Sequence, residues 1–306
     1  MRKIMKKKTI TLKKWTVFDI VNTVFVIFVT LIILYPLYFC VIASFSNPTE
    51  VALGKTLLWV KDFTVMSYEL ILEEKLLLIG YRNTIFYTIC GTAYNVALTI
   101  PAAYVLSKKE IPYHGFLSWF FFITMYVSGG MIPSYILVKN LGLLNTPWVM
   151  IIGSGVSVYN MIVVRSYFSS TIPASLYDAA FIDGATEFQV FTRIAIPLSK
   201  AIIAVISLFY AVGHWNNFYT ALIYIYDKNL YPLQLVLRNL LINGQLNLSS
   251  NIQYTAEELK YMVQRARIIQ TMKYSIVVVA AIPLLIVYPF IQKYFVKGVM
   301  IGSVKG

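Results

Sequence analysis
The chain is poor in charge, in histidine and in cysteine, and each shortage removes a class of function. Charged residues make up only 13% of 306 positions, whereas 58% are apolar and the mean hydropathy is +0.70. Soluble domains carry about a quarter charged residues, so this balance points to a membrane protein. The two cysteines, Cys40 and Cys90, lie in apolar runs without metal-ligand spacing and read as packing residues. His114 and His214 lack a second imidazole or carboxylate at helical spacing, so no metal site is expected. Gly54-Lys55-Thr56 ends like a nucleotide-binding loop, but Thr49 stands where that pattern requires glycine. The chain is expected to have no catalytic residues and to hydrolyse no nucleotide itself.

What is abundant is long apolar sequence. A span needs about 20 mostly apolar residues, and six stretches qualify: about 18–43, 83–106, 116–138, 148–168, 197–224 and 274–292. The expected fold is all-α, with six transmembrane helices behind a basic N-terminal segment, residues 1–17. The first apolar run is too long for a signal peptide, whose apolar region covers about 7–15 residues, and reads as a retained helix. A net charge of +13 would suggest nucleic acid in a soluble chain, but no recognition module or aromatic-basic platform is present. Instead, Arg2, Lys3 and Lys6 lead the first span and Lys108 and Lys109 follow the second. Arg165, Arg193, Lys200, Lys293 and Lys297 flank later ones. Basic residues favour the cytoplasmic side, which places both termini there.

None of the five later spans contains Asp or Glu, and Asp19 stands at the start of the first. Ion-coupled carriers commonly place carboxylates inside the membrane, so any transport is expected to be driven from outside this chain. The polar interruption at about 172–197 is suited to receive that drive. Pro173 starts a short helix, and Asp183-Gly184 closes it because glycine accepts left-handed dihedrals. Thr186 and Gln189 form a capping box for a second helix, and Pro197 marks its exit. On the outer side, Thr255 and Glu258 form another capping box. Residues 256–270 read as a helix with an apolar stripe, either a cap over the pore mouth or a dock for an outside partner.

The loop carries Asp178-Ala179-Ala180, then Asp183-Gly184-Ala185, Phe188, Ile194 and Pro197. It resembles the EAA signature of the membrane subunits of ATP-binding-cassette importers. Asp178 replaces the usual Glu, which keeps the charge and shortens the reach by one methylene. Ser128-Gly-Gly-Met-Ile-Pro133, Trp215-Asn-Asn-Phe-Tyr219 and the stretch Lys293–Gly306 are similar to sugar-importing permeases of the Lpl/Ytc group, in the maltose-type carbohydrate-uptake class. The resemblance covers nearly the whole chain. It implies a type I importer permease fold over residues 18–306, in a bacterial plasma membrane. It also implies a heterodimer with a second permease, two ATPase subunits, an extracellular solute-binding lipoprotein and an oligosaccharide substrate. No cofactor is implied on this chain; ATP and magnesium belong to the ATPases. The small residues Ala179, Ala180 and Ala185 would let the ATPase groove approach the backbone. Phe181, Phe188 and Ile194 would supply apolar contact, either to the ATPase or back to this chain's own spans, and Asp178 and Asp183 helix-terminus or arginine contacts.

His214, Trp215, Asn216, Asn217 and Tyr219 bring polar and aromatic groups into the fifth span. On one continuous helix Trp215, Tyr219 and Leu222 share a face, and rings with neighbouring amides suit a sugar in a translocation pathway. Helix–helix hydrogen bonding or interfacial anchoring accounts for the same residues without a substrate. Tyr126 and Asn95 are further pathway candidates. Gly129, Gly130 and Pro133 interrupt the third span, for close helix approach or for a bend. Two other functions stay open: an importer permease for a peptide or other solute, and a non-transporting scaffold or sensor.

Overall fold
A computed structural model describes residues 16–243, 255, 257, 267–269, 271–286, 289 and 292. The basic residues before Thr16, Glu258 of the capping box expected with Thr255, most of the helix expected over 256–270 and the stretch Lys293–Gly306 lie outside the described residues. Among the described residues the structure is helical and contains no strand.

The first helix, α1 (Val17–Ser44), begins where Thr16 and Asp19 cap one another. The Thr16 hydroxyl accepts from the Asp19 amide, and the Asp19 carboxylate accepts from the Thr16 amide. The acid at the start of the first span is thus a helix cap. Within α1 only Ile42, Ala43 and Ser44 are buried, so most of the helix is left open to lipid or to another chain. Two short helices, α2 (Pro48–Ala52) and α3 (Met66–Glu73), lead into α4 (Lys75–Ser107).

α4 begins eight residues before the expected 83. Lys75 and Arg82 lower the hydropathy of its first turns, yet the Glu74 carboxylate caps the Leu76 amide and the helix starts there. α4 is the centre of the fold. Its faces meet α7 (Trp148–Ile152), α8 (Val158–Thr171), α12 (Lys200–Trp215) and α14 (Leu233–Asn243). Ile100, Ala103 and Leu106 of α4 pack with Met161, Val164 and Phe168 of α8 and Ile206 of α12 in the main core. Gly91 is required here, because a Cβ at this position would collide with the His214 ring on α12.

Three expected spans are not single helices. The third is α5 (His114–Ile123) and α6 (Met131–Asn140), broken over residues 124–130; Gly130, at φ +83°, is the non-helical residue from which α6 starts. The fourth is divided between α7 and α8 at Gly153–Ser157. That break survives because α4 and α12 supply partners for its backbone: Asn95 donates to the Ser154 and Gly155 carbonyls, and the Ser157 amide donates to the Tyr210 hydroxyl. The fifth is α12 and α13 (Tyr219–Tyr224), separated by Asn216–Phe218. Among the described residues, α1, α4 and a last helix, α15 (Arg267–Ile286), are long and apolar enough to cross a membrane. The pair Glu187–Leu198 and Lys200–Trp215, bent by 80°, reaches that length only if its two halves are taken together.

Candidate functional site
The interruption at 172–197 folds as two short helices around a glycine. α9 (Ala174–Ile182) follows Pro173, which sits one residue ahead of the helix and not within its first turn. Gly184, at φ +79°, closes α9. The Gly184 amide donates to the Phe181 carbonyl (3.0 Å) and the Ala185 amide to the Ala180 carbonyl (2.9 Å), the paired bonds of a glycine helix stop. α10 (Glu187–Val190) starts at Thr186, whose hydroxyl accepts from the Gln189 amide while the Gln189 side chain accepts from the Thr186 amide. The helix continues through a π turn (Phe191–Ala195) and α11 (Ile196–Leu198), then bends by 80° into α12. Pro197 therefore marks the exit of the second helix, one residue inside its end.

The loop residues divide by exposure. Asp178, Ala179, Asp183, Gly184 and Pro197 are exposed, Ala185 and Ile194 are half-buried, and Ala180 faces the protein. Phe188 is 73% exposed, and beside it Ile182, at 86%, is the most exposed apolar residue of the loop. Sequence reasoning passed over Ile182; its position immediately before Asp183-Gly184 was the available signal. Phe181 is also exposed, at 40%, with its ring near the Lys108 ammonium.

The loop is held to the C-terminal end of α4 by a cluster that no local motif announces. The Lys108 ammonium lies 3.9 Å from the Tyr177 ring centre, 5.2 Å from that of Tyr104 and 5.4 Å from that of Phe181. It also lies 3.8 Å from a Glu187 oxygen, and the other Glu187 oxygen accepts from the Tyr104 hydroxyl at 2.9 Å. Burial, reinforced by the Glu187 carboxylate, pushes the Tyr177 phenol above its ordinary range and keeps it neutral. Asp178 lines a cleft of about 630 Å³ between α9 and the α4–α5 connection, which also presents Glu110.

The polar group of the fifth span is split by the end of α12. Trp215 is the last residue of that helix, so Trp215, Tyr219 and Leu222 do not share one helical face. Trp215 is buried against α3, α4, α14 and α15, and its indole N–H donates to the Ala280 carbonyl at 3.2 Å. His214 and Asn95 are buried against each other. Asn216 is exposed and donates back to the Val212 carbonyl, while the Asn217 side chain accepts from the Thr220 amide. Tyr219 is exposed and reaches Met131 of α6. Tyr126, also exposed, stands against Phe122.

Comparison with known proteins converges on one family. Residues 77–301 match the binding-protein-dependent transport system inner membrane component family. The chain is 39% identical to Protein LplC of Bacillus subtilis (strain 168) over 96% of its own length and 97% of that protein's. It is 37% identical to the polygalacturonan/rhamnogalacturonan transport system permease protein YtcP of the same organism, over 94% and 98% of the two chains. Among solved structures, a chain of a bacterial ABC transporter involved in the import of the acidic polysaccharide alginate superposes with a TM-score of 0.78. Identity there is 32%, over 91% of this chain and 96% of that one.

Proposed function
The chain belongs to the family of binding-protein-dependent transport system inner membrane components, and on that footing we propose that it is a permease subunit importing an oligosaccharide. In this reading it crosses the bacterial plasma membrane six times, with broken helices forming the third, fourth and fifth crossings and both termini in the cytoplasm. A second permease completes the pathway, and a solute-binding lipoprotein delivers the sugar from outside. One of two ATPase subunits docks on the loop around Gly184, and ATP is hydrolysed, with magnesium, within the ATPases and not on this chain. Neither a peptide cargo nor a non-transporting scaffold is favoured.

The observation that carries this reading is the projecting pair Ile182 and Phe188, which flank the Gly184 turn in a loop whose helix-end hydrogen bonds are closed within the chain. Apolar side chains exposed on a rigid, internally satisfied loop suit a partner's groove. Asn216, Tyr219 and Tyr126 are the candidates left for the translocation pathway, because they are exposed whereas Asn95, His214 and Trp215 are buried inside this chain. The test is reconstitution of the permease pair with its ATPases and binding protein, with ATP turnover measured against uronate-rich and neutral oligosaccharides. Stimulation by one glycan class, with uptake of that glycan, is expected; stimulation by peptides alone would discard the sugar reading.

A further inference from the structure
We infer that Lys108 is a positioning residue for energy coupling: it clips both helices of the Gly184 loop to the C-terminal end of α4, so that the loop and α4 move as one body. The inference rests on the reading of that loop as the dock for the ATPase.

The geometry is that of a clip across a hinge. α9 and α10 are joined through Gly184, and among the described residues nothing lies within 4 Å of where its side chain would be, so none of them packs against the turn there. Lys108 bridges that turn. Tyr177 and Phe181, whose rings it faces, belong to α9; Glu187, its ion-pair partner, is the first residue of α10. The Lys108 side chain is only 19% exposed, so its charge sits among ring faces with little competing water. Its place in the backbone adds to the effect. Lys108 caps the C-terminal end of α4, where the helix dipole favours a cation, and Glu187 stands in the first turn of α10, where it favours an anion. Tyr104, one turn earlier on α4, fixes the second Glu187 oxygen and packs its ring 4.9 Å from that of Phe191.

From this clip the connection into the bundle is direct. α4 carries Asn95 and Thr99, which bond His214 and Tyr210 of α12. A displacement of the loop by the ATPase therefore reaches α12 along two routes: along the chain, through the 80° bend at Ser199, and through Lys108 and α4. Without Lys108 the first helix of the loop keeps only its apolar contacts, the Tyr177 ring against Tyr104 and the main core, while the second keeps its hydrogen bond to Tyr104. The two helices are then no longer tied to one charged group, and part of the motor's stroke is lost in the turn.

The experiment uses the whole importer in proteoliposomes and measures sugar uptake and ATP turnover in the same vesicles. Lys108→Met keeps the stem and removes the charge. It is expected to lower sugar imported per ATP by about tenfold, the order of effect of losing a desolvated cation–π contact. Lys108→Arg, which retains a cation over the rings, should stay near the unmodified ratio. Glu187→Gln should lower it less, because the Tyr104 hydrogen bond survives. An unchanged ratio in Lys108→Met, or uptake and turnover falling together in proportion to the ATPase recovered with the complex, overturns the inference. A cross-link from Asp183→Cys to the ATPase checks the dock separately. Its absence removes the reading of the loop and the inference with it, whereas a retained cross-link with an unchanged ratio sinks the inference alone.

Discussion
The Asn95 side-chain oxygen lies 2.6 Å from His214 Nε2, and Asn95 also donates to the carbonyls of Ser154 and Gly155. Since the amide nitrogen is committed to those carbonyls, the oxygen must accept, and His214 carries its proton on Nε2. One asparagine thus joins α4, α12 and the break between α7 and α8. Gly91, one turn before it on α4, leaves the space the imidazole occupies.

Removing this knot should loosen the bundle. Asn95→Leu removes the partner of the Ser154 and Gly155 carbonyls and of the buried His214 imidazole N–H, at a cost of roughly 1–2 kcal/mol in a membrane setting. Gly91→Ala forces a Cβ into the His214 ring and should cost about 1–3 kcal/mol. Thermal unfolding of the purified permease pair in detergent checks both. A midpoint unchanged in both variants would show that the knot does not hold these helices together.

At Gly184, proline and alanine should act differently. Alanine tolerates the positive φ poorly, at about 1–2 kcal/mol, and keeps the amide that donates to Phe181. Proline cannot adopt that φ and lacks the amide. Gly184→Pro is expected to abolish uptake while membrane insertion persists, and Gly184→Ala to reduce uptake partially. Undiminished uptake by the proline variant would overturn the role of the turn.

Ile182 and Phe188 project from the loop, so changing them should leave the permease intact. Ile182→Asp and Phe188→Asp are expected to change thermal stability by less than about 0.5 kcal/mol, as exposed substitutions usually do. Each should cut co-purification of the ATPase severalfold. Full recovery of the ATPase with the double variant would show that these side chains face lipid or solvent only.

Within the fifth crossing, burial separates two behaviours. Trp215→Ala removes a core side chain and should cost about 3–5 kcal/mol, lowering the yield of folded protein. Asn216→Ala and Tyr219→Ala touch exposed side chains and should fold normally, with a raised KM for uptake. Uptake kinetics unaltered in both would take Asn216 and Tyr219 out of the pathway.

Much of this organisation could be read along the chain, because it is set by interactions between near neighbours. The glycine stop at Gly184, the Thr186–Gln189 capping box and the start of α1 at Thr16 each depend on residues within a few positions of one another. The apolar runs mark where helices lie, since apolar length is a property of the segment alone. Other features depended on residues far apart. A Gly153–Ser157 break inside an apolar run becomes tolerable only because Asn95 and Tyr210, from two other helices, bond the freed backbone. The end of α12 at Trp215 separates residues that a continuous helix would align. Lys108 and Glu187, 79 positions apart in the sequence, meet only after the loop has folded back on α4. Short-range hydrogen bonding and hydrophobic length are written locally, whereas the choice between a broken and a continuous span, and the clip on the loop, belong to long-range packing that only the tertiary structure decides.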